Sequence, residues 1–200
     1  MRINKTKYII NEENYYNIET QKTKIILTDT GRKSNYGLIH LLNKYDGKHK
    51  EYPHFTVTRD GYVYQHFDSK YYSEFFNDMT LNKTTIIISL ENMGGLYYVQ
   101  SNNKYYNKLN ESCEEENILS TDWRNFFYFE KYPEIQQKTT IELCIKLCDK
   151  HKIVKDTYGH NVYDEDARFY NGIICRSNLD HKFLDLNPSF NFKTLIKNIT

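Results

Sequence analysis

The sequence predicts an α/β fold, a mixed central β-sheet flanked by helices, in one domain over residues 1–200. Three observations carry this. Thr84–Leu90 (TTIIISL) is a β-branched run of the length and character of a fully buried strand. HFTVTRDGYVYQHF alternates on both sides of Asp60-Gly61, the signature of a hairpin. Thr139–His151 spaces Ile141, Cys144, Ile145 and Cys148 along one helical face. Strands alternating with helices, with a hairpin between them, require a sheet covered by helices.

In chain order, Lys24–Leu27 (KIIL) reads as a short buried strand. SNYGLIHLLNKYDG places Leu38, Ile39, Leu41, Leu42 and Tyr45 at near-helical spacing and stops at Gly47. His54–Thr58 and Tyr62–Phe67 form the hairpin arms, followed by the strand Thr84–Leu90. LYYVQSNNKYY suggests a second hairpin turning at Asn102-Asn103, and ESCEEEN reads as a charged loop. After the helix Thr139–His151 come a short strand at Gly172–Arg176, a turn at Asn187-Pro188-Ser189 and a terminal helix at Phe192–Ile199. With 3 Pro and 8 Gly, no linker-like run and no internal repeat, nothing marks a domain boundary.

Composition excludes more than it selects. A net charge of +1 offers no broad attraction to nucleic acid or membrane, and basic residues such as Lys22, Lys24, Lys48 and Lys50 read as part of a mixed solvated surface. Mean hydropathy is −0.77, and no apolar run approaches the ~18 residues of a membrane span. MRINKTKYIINEENYY has an apolar patch only at residues 8–11 and no small-residue cleavage site, so no signal peptide is expected. Synthesis in the cytoplasm, of an infected host cell if the source is viral, or association with a virion follows from that. The richness in Asn, Lys, Ile and Tyr, with 19 Tyr against 1 Trp, matches AT-rich codons of the kind common in phages. The cysteines Cys113, Cys144, Cys148 and Cys175 lack metal-site spacing and read as buried thiols.

Four segments, in order, carry a resemblance: KIILTDTG, YPHFTVTRDGYVYQHFD, TTIIISLENMGGL and YNGIICRSNLDHKFLDLNPSFNF. From about Lys24 to Phe192 the chain resembles the type-2 N-acetylmuramoyl-L-alanine amidases, the group that includes phage lysozyme-type amidases and peptidoglycan recognition proteins. The resemblance implies a mixed sheet with helices on both faces and a groove across one of them. It also implies one zinc held by two His and an Asp or Cys, with a Glu or Tyr assisting the metal-bound water and a Lys-like oxyanion donor. Zinc there acidifies water and polarises the scissile amide carbonyl.

Position by position, the match departs from that pattern. Thr28 stands where the first ligand His is expected, with Asp29 beside it on the opposite side of the strand. Arg176 occupies the second His position, and a guanidinium has no lone pair for a metal. Asp185 matches the third ligand and is retained. Phe183 replaces the oxyanion Lys, with Lys182 adjacent, and Ser89 replaces the assisting Glu. Pro53 holds the alternative Tyr position, with Tyr52 one place earlier. The catalytic positions Thr28, Ser89 and Phe183 are therefore degenerate, and no zinc cofactor is expected.

His54 matches the family's inward His and reads as a satisfied core histidine near the site. A rearranged metal cluster would have to use His160 with Asp185, joined by Asp164 or Asp166. His40, His49, His66, His151 and His181 read as helix, loop or hairpin-surface residues. Arg176 and Asp185 are expected to meet where the metal would sit, the guanidinium forking onto the carboxylate. Either this is a structural ion pair, or Arg176 also faces the groove and attracts a ligand carboxylate or phosphate, with Asp185, His54 and Asp29 around it. The first reading of function is accordingly an inactive amidase-like protein binding a peptidoglycan fragment or another small anionic ligand. The alternatives are a structural protein contacting other virion proteins, and an active amidase with rearranged ligands.

Overall fold

The computed structural model describes residues 1–33, 36–160 and 162–199. Its strands are β1 (Ile3–Asn4), β2 (Lys24–Asp29), β3 (Phe55–Val57), β4 (Val63–Gln65), β5 (Thr85–Leu90), β6 (Gly95–Val99), β7 (Lys104–Tyr106), β8 (Ser112–Cys113), β9 (Ile118–Trp123), β10 (Phe126–Glu130) and β11 (Gly172–Cys175). Its α-helices are α1 (Tyr36–Asn43), α2 (Met79–Thr84), α3 (Glu134–His151), α4 (Arg176–Leu179) and α5 (Phe192–Ile199). Ser34 and Asn35, which open the first predicted helix, lie outside the described residues.

The main sheet runs β1-β4-β3-β5-β2-β11. Strands β3, β5, β2 and β11 are mutually parallel, and β4 is antiparallel to β3 through the predicted hairpin. Gly61 closes that hairpin with a φ of +81°, a conformation that carries little strain only without a Cβ. Alternation along the parallel strands splits the core into two layers. Ile25, Leu27, Ile86, Ile88 and Ile173 pack beneath α3 and α5, against Ile141, Leu143, Cys144, Leu147 and Leu195. On the other face Ile26 and Ile174 pack with Leu81 of α2. This mixed sheet between helices is the architecture the sequence predicted.

One residue pair further along that second face, the apolar row becomes polar. Thr28 of β2 is in register with Ser89 of β5, and Ser89 with Thr56 of β3. All three are buried. They sit at the carboxyl ends of parallel strands, where open α/β sheets form ligand crevices.

A second, antiparallel sheet ordered β8-β7-β6-β10-β9 stands beside this crevice. The predicted Asn102-Asn103 hairpin is its β6–β7 unit, with Tyr98 opposite Tyr105. The rest of it departs from expectation. ESCEEEN is not simply a loop: Ser112–Cys113 pairs with β7, and Glu115–Asn117 forms a 3-10 turn. The β9–β10 hairpin turns at Arg124-Asn125, both with positive φ (+50° and +65°). The backbone of such a turn favours Asn-Gly or Asp-Gly, so Arg-Asn carries little sequence signal.

Three further differences have clear causes. α3 begins at Glu134 because Pro133 can precede a first helical turn without losing a hydrogen bond. Lys22 and Lys24 are buried rather than solvated, since their ammonium groups reach the carbonyls of Lys83 and Arg168; burial pushes Lys22 down to about 7. His66 is fully buried instead of lying on the hairpin surface, because β1 and the segment after it cover β4. All four cysteines are free and buried, as expected.

Candidate functional site

Each site residue is delivered by the end of a strand or by the loop that follows it. β2 ends at Thr28 and Asp29; β11 ends at Cys175, so Arg176 opens the short helix α4. The return loop from α4 brings Phe183 and Asp185 back over β2. Asp185 is buried, and its Oδ2 accepts the Thr28 hydroxyl and, at 3.2 Å, the Asp29 amide. Arg176 Nη1 lies 3.9 Å from the same oxygen.

Thr28, Asp29, Arg176 and Asp185 therefore do converge, but not in the expected fork. The guanidinium instead lies on the Phe183 ring, 3.6 Å from its centroid, with Phe75 at 5.7 Å on another side. Its Nε is buried and has no hydrogen-bond partner among the described residues. Phe183 is thus a platform for Arg176. A cation over an aromatic face is stabilised by the ring quadrupole, which a lysine at 183 could not supply.

Asp29 points to the other side of its strand. Its Oδ1 accepts the Tyr132 hydroxyl at 2.5 Å, and the Tyr132 oxygen takes the Asn187 amide at 3.3 Å. Burial, with the charge of Asp185 second, holds the Asp29 carboxyl well above the usual range; the Tyr132 hydrogen bond opposes this. Its Oδ2 is buried and has no hydrogen-bond partner among the described residues. Tyr132 escaped the sequence reading, and Asn187 entered it only as part of the Asn187-Pro188-Ser189 turn.

Arg176, Asp29 and Thr30 line two arms of one groove. One arm, of about 310 Å³, runs toward the second sheet past Gly94, Gly95, Lys108, Lys182 and Phe183. The other, of about 240 Å³, has Thr56 and Ser89 in its floor, with Pro53, Phe75 and the Lys44–Glu51 ion pair around it. Arg124, from the tip of the β9–β10 hairpin, donates to the carbonyls of Ser177, Asp180 and Phe183 at 2.9, 3.3 and 2.6 Å. It ties the second sheet to the loop that carries the Arg176 platform.

The remaining predicted residues lie elsewhere. His54 lines neither arm: its Nε2 donates to Tyr71 O, its Nδ1 accepts the Ile87 amide, both at 3.0 Å, and burial holds it well below the ordinary histidine value. His160 stacks on Phe192 at 4.2 Å, faces the Leu186 carbonyl at 3.3 Å and lines a different cavity. Asp164 accepts the Tyr158 hydroxyl, and among the described residues His160, Asp164 and Asp185 do not form a group able to hold a metal ion.

The residues that the resemblance assigns to the metal position do not fit zinc. Thr28 presents a protonated hydroxyl already spent on Asp185, Arg176 presents no lone pair, and its positive charge opposes a divalent cation. Among the described residues no group of three or more His, Cys, Asp or Glu is placed to hold a metal ion.

A family model described as N-acetylmuramoyl-L-alanine amidase matches residues 18–175. The match ends one residue before Arg176, so the assignment of Arg176 and Asp185 to the metal position rests on the sequence resemblance alone. No curated protein sequence matches the chain. Among solved structures, the chain is similar in fold to the amidase LysC from Clostridium intestinale, with 12% identity, 100% of this chain and 97% of that one covered, and a TM-score of 0.57. A mutant endolysin from Bacillus subtilis shares 13% identity over 100% of this chain and 99% of its own, at 0.60. The amidase AmiD from E. coli, solved with anhydro-N-acetylmuramic acid-L-Ala-D-gamma-Glu-L-Lys, shares 14% identity over 96% of this chain and 66% of its own, at 0.57.

Proposed function

Given that the chain belongs to the N-acetylmuramoyl-L-alanine amidase family, we propose that it is a catalytically inactive member that binds a peptidoglycan fragment, or another small anionic ligand, in a zinc-free groove. The observation that carries the reading is Arg176: a permanent cation lies against Asp185, stacked on Phe183, where the family resemblance puts a metal. Without the metal there is no acidified water and no Lewis acid for the carbonyl, and Ser89 is no substitute for a carboxylate base. What remains is a groove with a positive centre, polar floor and aromatic walls, which suits binding. The E. coli relative was solved with a muropeptide, and that is the ligand class proposed here.

Metal analysis of the purified protein tests this directly. It should find less than about a tenth of an equivalent of zinc; one tightly held zinc per chain, or release of L-alanyl peptides from peptidoglycan, refutes the reading. Insoluble peptidoglycan should retain the wild-type protein. The triple variant Thr28→His, Ser89→Glu, Arg176→His should gain zinc binding, since it returns the ligands to positions that already converge on Asp185. A folded triple variant that takes up none would show that the metal position has been misassigned.

A further inference from the structure

The arm of the groove that runs between the two sheets holds more cation than its acids consume. Asp185 is engaged by the Thr28 hydroxyl, the Asp29 amide and Arg176, and Asp29 is turned toward Tyr132. Lys108 and Lys182 line the same arm, both exposed, and neither is in an ion pair among the described residues. Two exposed lysines and Arg176 therefore line one space of about 310 Å³. A single carboxylate would leave at least one of these charges unmatched.

The walls narrow the choice further. Leu109, Leu184 and Met93 give the arm an apolar side, and Gly95 lets it close. A Cβ on Gly95 would lie 2.5 Å from Phe126 Cδ1 and 2.9 Å from Leu184 Cδ1. The guanidinium is oriented by stacking on Phe183 at 3.6 Å, and the loop carrying that ring is held by three hydrogen bonds from Arg124. An arginine positioned beforehand gives up little further freedom when it forks onto tetrahedral oxygens.

We propose that this arm is a phosphate site, taking the dianionic head of a phosphate monoester or diphosphate whose organic part lies along the apolar wall. Arg176 orients the phosphoryl oxygens, and Lys108 and Lys182 supply the remaining charge. The inference rests on the zinc-free reading above, because a metal at Asp185 would displace the Arg176 side chain.

Inorganic pyrophosphate is the probe, titrated calorimetrically into the full chain at low salt, with acetate as the monocarboxylate control. Pyrophosphate should bind saturably, acetate at least about tenfold more weakly, and the double variant Lys108→Ala/Lys182→Ala should lose about tenfold in pyrophosphate affinity. Both lysines are exposed, so the variant should keep the wild-type melting temperature. Absence of saturable binding, equal affinity for acetate, or an unchanged affinity in the double variant overturns the proposal. If the variant does not fold, wild-type affinity between about 50 and 200 mM salt decides, because phosphate neutralised by three cations must bind less tightly as salt rises; a flat response overturns it. Pyrophosphate binding by a protein that peptidoglycan does not retain supports the phosphate site and removes the muropeptide reading. Retention without pyrophosphate binding does the reverse.

Discussion

His66 should make this protein acid-sensitive in a way that can be read from one side chain. The ring is fully buried, and its Nδ1 donates to Tyr8 O at 2.7 Å, leaving Nε2 to accept the Thr56 hydroxyl at 2.8 Å. That arrangement needs the neutral imidazole, and burial pushes the group from 6.5 down to about 4. Above pH 6.5 the folded and unfolded states are both neutral at this site. As pH falls below 6.5 the unfolded chain takes a proton that the native chain refuses, so the unfolded state gains. A depression of about 2.5 units at about 1.4 kcal/mol each makes the loss about 3 kcal/mol by pH 4. Urea denaturation of wild type and His66→Gln from pH 7 to pH 4 isolates it, because other titrating groups cancel in the difference. The wild-type advantage should shrink by that amount across the window. A constant difference, or an imidazole that titrates near 6.5 by NMR in the native protein, would refute the reasoning. Thr56 lines the groove, so the folded protein's ligand affinity should hold over the same range and fall only where the native ring itself takes a proton, at about pH 4.

Two further outcomes follow from hydrogen bonds that cross between elements. Tyr132→Phe removes the donor to Asp29 and the acceptor of the Asn187 amide, in a place where Asp29 Oδ2 is already unpaired; a loss of about 1–3 kcal/mol in urea denaturation at pH 7 is expected, and no loss would mean water replaces the hydroxyl. Arg124→Met strips donors from three carbonyls of the loop at 177–183. Trp123, the one tryptophan in the chain, lies 4.9 Å beneath the guanidinium and reports locally. Its emission should shift to the red at denaturant concentrations below the global transition, with about 2 kcal/mol lost overall; coincident transitions and wild-type stability would show that the clamp carries no energy.

Much of the main sheet is written locally. TTIIISL and KIIL read as buried strands, since β-branched residues lose least in extended backbone, and the structure departs only at Thr84, which closes α2. The hairpin at Asp60-Gly61 was equally legible, because the φ of +81° that the turn requires is what glycine supplies. The second sheet was legible only in part. Its β9–β10 hairpin turns on Arg-Asn, and its pairing with β6 is long-range, so no local window contains the evidence for it.

The sequence by itself determined which side chains stand at the positions that the resemblance assigns to zinc chemistry. Thr28 and Arg176 bring no imidazole there and Ser89 no carboxylate, because residue type alone settles whether a lone pair or a carboxylate is available. Only the tertiary structure decided how those side chains meet. Thr28 and Asp185 are separated by 157 positions yet share a hydrogen bond, and Arg176 rests on a ring rather than forking onto the carboxylate. The sequence supplied the expectation that opposite charges would pair fully. The folded chain had already filled the carboxylate from Thr28 and the Asp29 amide, and offered the guanidinium an aromatic face instead. Such a choice depends on distances among groups that adjoin only after folding, because an acceptor oxygen satisfied by nearer donors has less to gain from a third.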